Sequence, residues 1–366
     1  MSEGAVEPLE LLRRVRRCAG DQRKTLLALY GMLLLIPLAL LVIAACRGVL
    51  LGGFVEQLGA TFLRPVQSTM QLLQGSVAEG RWGLVAGAVL GIWIAGTLVG
   101  SFFGMAVTRM AAVELTCDRR SDLREALLFA RGHWHWGFFT PFGLLFGALS
   151  LVAIAAGLFA LGRVWDVLLI AAAPAALLLV IGAVILLLGL FAGGILAWPT
   201  IATEWSDAFD AITRVYGYSF AHAPRVAAYR LGALALLVGA VFLRGIRVFV
   251  VLGLLALALR VGLGTERAKD LIDAMLLEPP QGLPLPQTLA AWALAASVAI
   301  FLSLQVARLA VLRSTLHQGM YLLLRRHIDR VPMDNIDGYR PDDSAFDPTA
   351  QGFVLTEVEE GMRADG

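Results

Sequence analysis

Apolar residues fall along this chain in six long blocks, with charged residues crowded between them. The blocks are Thr25–Cys46, Trp82–Val107, Trp136–Leu161, Val167–Trp198, Val226–Leu263 and Thr288–Leu312. A helix needs about 20 apolar residues to cross the hydrocarbon core of a bilayer. The pattern therefore predicts an all-α polytopic membrane helix bundle of about six transmembrane helices. The fourth and fifth blocks exceed that length, and tilt, kinking or protrusion must absorb the excess. Pro37 and Pro174 each remove a helix hydrogen bond and can kink the first and fourth spans.

The fifth block is interrupted. Arg244 and Arg247 lie three apart on one helical face. Val226–Leu243 already suffices for a crossing, so Val248–Leu263 extends the span, lies in the interface or re-enters. Two further segments carry an amphipathic pattern with apolar residues every three or four positions. In Phe54–Ala78 the stripe is Val55, Leu58, Phe62, Val66, Met70, Leu73 and Val77. In Glu266–Leu277 it is Leu271, Ile272, Met275 and Leu276. Both are expected at the membrane surface.

Composition agrees with the pattern. Apolar residues make up 58% of the 366 residues and charged residues 16%, with a mean hydropathy of +0.75, against about 25% charged in a soluble domain. Arginine outnumbers lysine 28 to 2, which reflects base composition rather than function. The placement of these charges sets orientation. Nineteen arginines and lysines lie in the N-terminus, after span two, between spans four and five, and after span six, against six on the opposite side. Cytoplasmic loops concentrate these residues. The expected setting is the bacterial cytoplasmic (inner) membrane, multi-pass, with both termini cytoplasmic. Residues 1–24 form a basic cytoplasmic segment, 25–330 the transmembrane bundle and 331–366 an acidic tail. With nine acids against two arginines, the tail is too polar to build a core.

Two cytoplasmic segments align without a gap. Ser121-Asp122 precedes Glu125-Ala126-Leu127 and Gly132; Ser206-Asp207 precedes Asp210-Ala211-Ile212 and Gly217. Each follows one span and leads into the next, so spans two–three and four–five read as parallel repeats. Capping explains the motif. Ser121, Asp122, Ser206 and Asp207 are helix caps whose oxygens accept orphan N–H groups, acids follow in the first turn, and the glycine ends the helix. The competing reading makes Asp122, Glu125, Asp207 and Asp210 a symmetric ion or substrate site.

Span two carries two rows of small residues, Gly83, Gly87, Gly91 and Gly96, Gly100, Gly104, which allow close helix approach. Glu114, Glu204, Arg244 and Arg247 are the candidate polar residues for a solute site, because charge within a membrane is costly and tends to be functional. His133 and His135 face nearly opposite ways on a helix and form no metal site by themselves. Three widely spaced cysteines, Cys18, Cys46 and Cys117, make neither a disulfide framework nor a zinc site. Ile43-Ala44-Ala45-Cys46 has the form of a lipidation site, but later spans and the long N-terminus favour an ordinary helix end. No nucleotide-binding glycine loop and no nucleophile elbow occurs.

The stretch Tyr321-Leu322-Leu323-Leu324-Arg325-Arg326, with Asp329 and Asp334 after it, resembles uncharacterised bacterial multi-span membrane proteins. The Ser-Asp repeat is faintly similar to the membrane domains attached to some glycerophosphodiesterases. The resemblance implies a helical membrane domain and supplies no catalytic residues, and no phosphodiesterase domain is present here.

These readings exclude no partner in the membrane and point to no chemistry. No enzymatic activity, catalytic residue, cofactor or metal is expected. The expected partners are the lipid bilayer and other membrane proteins or further copies of the chain, with no nucleic acid. The function expected is that of a scaffold, anchor or assembly subunit; the alternative is a transporter or channel for a small anionic solute. Orientation is open to test. A cysteine placed at Ala350 should stay unlabelled by an impermeant thiol reagent in intact cells and react after permeabilisation; labelling of intact cells would reverse the topology.

Overall fold

The computed structural model describes residues 8–51, 82–118, 120–161, 166–276 and 285–331. The segment Phe54–Ala78, the turn before span six and the acidic tail lie outside the described residues, as do the side chain of Cys46 and the surroundings of Gly83. Everything described is helix or short connection. In chain order the helices are α1 (Pro8–Ala19), α2 (Gln22–Leu51), α3 (Trp82–Cys117), α4 (Leu123–Leu161), α5 (Asp166–Glu204), α6 (Ala208–Ala221), α7 (Ala223–Leu263), α8 (Thr265–Leu276) and α9 (Leu285–Ile328). Among the described residues, five helices are long and apolar enough to cross a membrane: Val89–Cys117, Leu123–Ala160, Ala172–Leu190, Ala223–Leu263 and Leu289–Ile328. The first apolar block lies on α2, several of whose side chains are not described.

Local sequence explains the helix boundaries. Asp21 opens α2: its carboxylate accepts the Arg23 N–H at 3.0 Å, and its carbonyl accepts the Thr25 N–H. Asp122 does the same for α4 through Arg124 N–H at 3.3 Å, and Asp207 for α6 through Asp210 N–H at 2.8 Å. The two Ser-Asp connections also share a backbone device. Each preceding helix stops at a left-handed residue, Asp118 (φ 49°) after α3 and Trp205 (φ 56°) after α5. Elsewhere the two segments differ. The first leads straight into the single helix α4, whereas the second forms the short α6 and breaks at His222 before α7.

One expectation needs correcting, and one of the three alternatives for Val248–Leu263 drops out. Gly132 and Gly217 do not end helices; α4 and α6 run through them. Neither adopts positive φ, and glycine in a helix interior costs only about 1 kcal/mol, less than the tertiary packing that holds these helices. Re-entry after Arg247 does not occur either. Val248–Leu263 continues α7 as one 41-residue helix that ends at Gly264 (φ 80°). No proline stands in that stretch, so nothing in the sequence breaks the backbone ladder there.

The core sits at one end of the bundle. Buried residues concentrate in Met105–Leu115 of α3, Ala126–Ala130 of α4, Leu196–Thr203 of α5, Ala211–Ser219 of α6 and Val311–Arg325 of α9. Beyond them, the other ends of the long helices present exposed apolar side chains such as Val89, Phe146, Leu178 and Ile300. A 36- to 44-residue helix is about 54–66 Å long at 1.5 Å per residue, well beyond a hydrocarbon core of about 30 Å. The exposed apolar bands suit lipid, and the overhanging ends pack on one another. Helix α1 completes this end. Leu11, Val15 and Cys18, spaced four and three apart, pack on Ala111, Leu115, Leu316 and Leu322, while Arg13, Arg16 and Arg17 stay exposed on the other face.

Trp198 locks α3, α4 and α5 together. Its indole N–H donates to the Gly137 carbonyl at 2.9 Å, and its ring lies against Gly104 and Gly100. A Cβ at Gly104 would collide with that ring; one at Gly91 would meet Val42 of α2 at 2.5 Å; one at Gly87 or Gly96 would touch nothing. Gly104→Ala should therefore destabilise the purified protein by roughly 1–3 kcal/mol through overpacking. Gly96→Ala should be neutral or add about 0.5–1 kcal/mol through helix propensity. Thermal unfolding in detergent separates them, and equal behaviour of the two variants would remove Trp198 as the lock.

Candidate functional site

Three groups of charged side chains tie the closed end together. The first surrounds Glu204, the last residue of α5, whose side chain is 4% exposed. Arg325 of α9 lies 3.1 Å from Oε1, Tyr321 of α9 donates to the same oxygen, and Arg214 of α6 pairs with Oε2. Beside it the Gln318 amide donates to the Thr203 hydroxyl at 2.8 Å, and Tyr218 of α6 donates to Asp329. Burial pushes the Tyr218 phenol up, and the Asp329 carboxylate adds to that. A buried carboxylate is tolerated when it is paired and hydrogen-bonded, and here two helices supply its partners.

The second group lies where α1 turns into α2. Lys24 is fully buried, and its ammonium donates to Glu114 Oε2 at 2.5 Å, Cys18 Sγ at 2.7 Å and the Cys18 carbonyl at 3.2 Å. The Ser121 hydroxyl donates to the other Glu114 oxygen at 3.3 Å. Burial pushes the Cys18 thiol up to about 12, so it stays protonated at neutral pH. Cys18 and Glu114 border a cavity of about 660 Å³ lined also by Arg14, Arg17, Arg23, Arg120, Asp21 and Asp118.

The third group is centred on Arg109, 1% exposed. Its guanidinium donates to the Ala202 carbonyl in the last turn of α5 at 2.8 Å, where the helix dipole is negative. It lies 5.2 Å from both the Phe129 and Trp205 ring centres and 3.7 Å from Glu125 in the first turn of α4. His133 stacks on Phe129 and meets Trp205 edge-on. His135 instead contacts Trp134 and Trp136.

The four candidate solute residues therefore occupy separate places. Glu114 and Glu204 sit in different ion clusters, and the cavity beside Glu114 contains neither Glu204 nor Arg244. Arg244 of α7 donates to the Gln305 carbonyl of α9 at 3.2 Å and lines a different cavity, of about 350 Å³, with Arg308; Arg247 does not line it. Of the four motif residues read as caps, Asp122 and Asp207 bond backbone N–H groups and Ser121 turns to Glu114. The Ser206 hydroxyl is buried without a hydrogen bond among the described residues. Among the described residues no three histidine, cysteine, aspartate or glutamate side chains are grouped to hold a metal.

Sequence reading passed over Lys24, Arg109, Arg308, Gln318, Tyr321 and the capping Asp21. One signal was available. Gly20-Asp21-x-x-Lys24-Thr25-Leu26 has the spacing of the two Ser-Asp segments, with lysine at the position of Glu125 and Asp210. Arg308 interrupts an apolar block as Arg244 does. The remaining residues carry no local mark.

Helices of this length and apolarity, packed at one end and bare at the other, define a multi-span membrane protein. No family model, curated protein or solved structure matches the chain.

The Glu204 cluster generates a direct test. Glu204→Ala takes this carboxylate away from the buried Arg325 and should cost roughly 3–5 kcal/mol. Arg23→Ala removes a 4.0 Å contact to Asp21 from a side chain 42% exposed and should cost under about 1 kcal/mol. Unfolding midpoints of the two purified variants give the comparison; a mild Glu204→Ala would mean the cluster does not hold the helix ends.

Proposed function

We propose that this chain organises, anchors or assists the assembly of other membrane proteins, in a bacterial cytoplasmic membrane that it crosses six times with both termini inside. The observation that carries the reading is the exposure of α7. Val226 is the only buried residue of α7 among the described residues. Leu231, Leu234, Phe242, Phe249, Leu254 and Val261 are all more than half exposed.

Length makes this exposure informative. Forty-one residues span about 60 Å, twice the hydrocarbon thickness. Fitting that length inside the core needs a tilt of about 60°, beyond the roughly 0–40° that membrane helices adopt. The other long helices bury their overhang in the shared core, and α7 does not. The surplus apolar surface suits an apolar helix of another membrane protein. The separate placing of Glu114, Glu204 and Arg244 favours this reading over a solute path, which needs polar groups lining one cavity.

Photo-crosslinking residues placed at Leu234, Phe242 and Val261 sample both halves of α7. In cells, at least one half should give a discrete protein adduct while the other gives lipid. Lipid adducts alone at all three positions would defeat the docking role. Uptake of chloride, phosphate or acetate by proteoliposomes of the purified chain would favour the transporter instead.

A further inference from the structure

Arg244 and Arg308 lie near the middle of two long apolar helices and face one cavity that has no carboxylate among the described residues that line it. That cavity, of about 350 Å³, is lined by Ala19, Gly20, Gln22, Thr25, Leu26, Arg244, Leu304 and Arg308. Arg244 spends one N–H on the Gln305 carbonyl at 3.2 Å. Arg308 and Arg247 are its charged neighbours, and both repel it. Neither Arg308 nor Arg247 makes an ion pair among the described residues. The larger cavity nearby differs in kind, because Asp21, Glu114 and Asp118 stand among its four arginines, and Asp21 and Asp118 pair with Arg23 and Arg14.

Like charges gathered on apolar helices are costly unless an anion or water compensates them. The cavity offers what an anion needs. Two guanidinium groups provide planar forks suited to phosphate oxygens. Gln22 adds a neutral polar side chain; the Thr25 hydroxyl beside it donates to the Asp21 carbonyl at 3.2 Å, and the Asp21 carboxylate caps the N-terminus of α2. The height of the cavity is also defined, since Thr25 begins the first apolar block of the sequence. Just beyond it, Leu26 of α2 and Val306 of α9 are exposed apolar side chains, 62% and 49%, a surface for an acyl chain.

We infer that Arg244 and Arg308, with Gln22, bind a phosphate-bearing anion, the headgroup of an anionic phospholipid seated where α2 enters the bilayer. The acyl chains run along the exposed apolar side of α2 and α9, and the phosphate neutralises two arginines that share their cavity with no carboxylate among the described residues. This site is independent of whether α7 docks a partner.

The test uses the full chain, purified in detergent and stripped of lipid. Phosphatidylglycerol, phosphatidylcholine and inorganic phosphate are added separately, and the unfolding midpoint and retained lipid by native mass spectrometry are read. Phosphatidylglycerol should raise the midpoint and leave one bound lipid, and phosphatidylcholine should do neither. Arg308→Gln keeps the Arg244–Gln305 bond and should weaken phosphatidylglycerol binding by roughly tenfold or more, the loss of one charged hydrogen bond. Arg308→Lys keeps the charge but not the fork, so its binding should fall between that of the unchanged chain and that of Arg308→Gln, a grading that a packing role would not produce. Equal action of the two lipids, or unchanged binding in Arg308→Gln, overturns the site. Protection by inorganic phosphate equal to that by phosphatidylglycerol overturns the lipid as its source.

Discussion

The closed end of this bundle depends on one buried carboxylate that has to be neutralised. Glu204 ends α5 inside the protein, where an isolated charge is expensive. Its partners come from two other elements, Arg214 of α6 and Arg325 with Tyr321 of α9. Satisfying that one group therefore sets where α6 and the last turns of α9 lie. The same logic recurs twice at this end. Lys24 must reach Glu114, which seats the α1–α2 elbow against α3, and Arg109 must reach the α5 terminus, which seats α3 against α4 and α5. Breaking such pairs is costly because the surviving charge stays buried.

Helix length and bilayer thickness then divide the protein into two environments. Where the helices lie in lipid, apolar side chains point outward and helices approach through small residues such as Gly91. Where they overhang, packing and ion pairs replace lipid as solvent. Threonines within the helices return their hydroxyl hydrogens to carbonyls four residues back, as Thr108, Thr140, Thr200 and Thr315 do, leaving no stray donor at these sites. Helix α7 follows neither rule completely, being long enough to overhang yet almost unburied.

The charges sort in the same way. The buried cations Lys24, Arg109 and Arg325 at the closed end lie beside the acids Glu114, Glu125 and Glu204, whereas the described residues that share a cavity with Arg244 and Arg308 are all neutral. Within one chain, the first arrangement contributes to holding helices and the second leaves unspent positive charge at the membrane boundary. That difference separates the structural role argued for Glu114 and Glu204 from the binding role argued for the arginines.

The helical, membrane-spanning character of the chain was legible in its sequence, because hydrocarbon imposes one requirement on every spanning segment: apolar side chains over a backbone that satisfies itself. That requirement is local, so blocks of residues reveal it. Helix starts at Asp21, Asp122 and Asp207 are local too, since a cap bonds two or three residues onward. The ion partners are not local. Lys24 meets Glu114 across 90 residues and Tyr321 meets Glu204 across 117, and no periodicity marks which cation closes on which acid. The continuation of helices through Gly132 and Gly217 was likewise decided by packing, which outweighs the small propensity cost of glycine. Only tertiary structure could place Arg308 beside Arg244, because two helices had to be laid side by side before their like charges met.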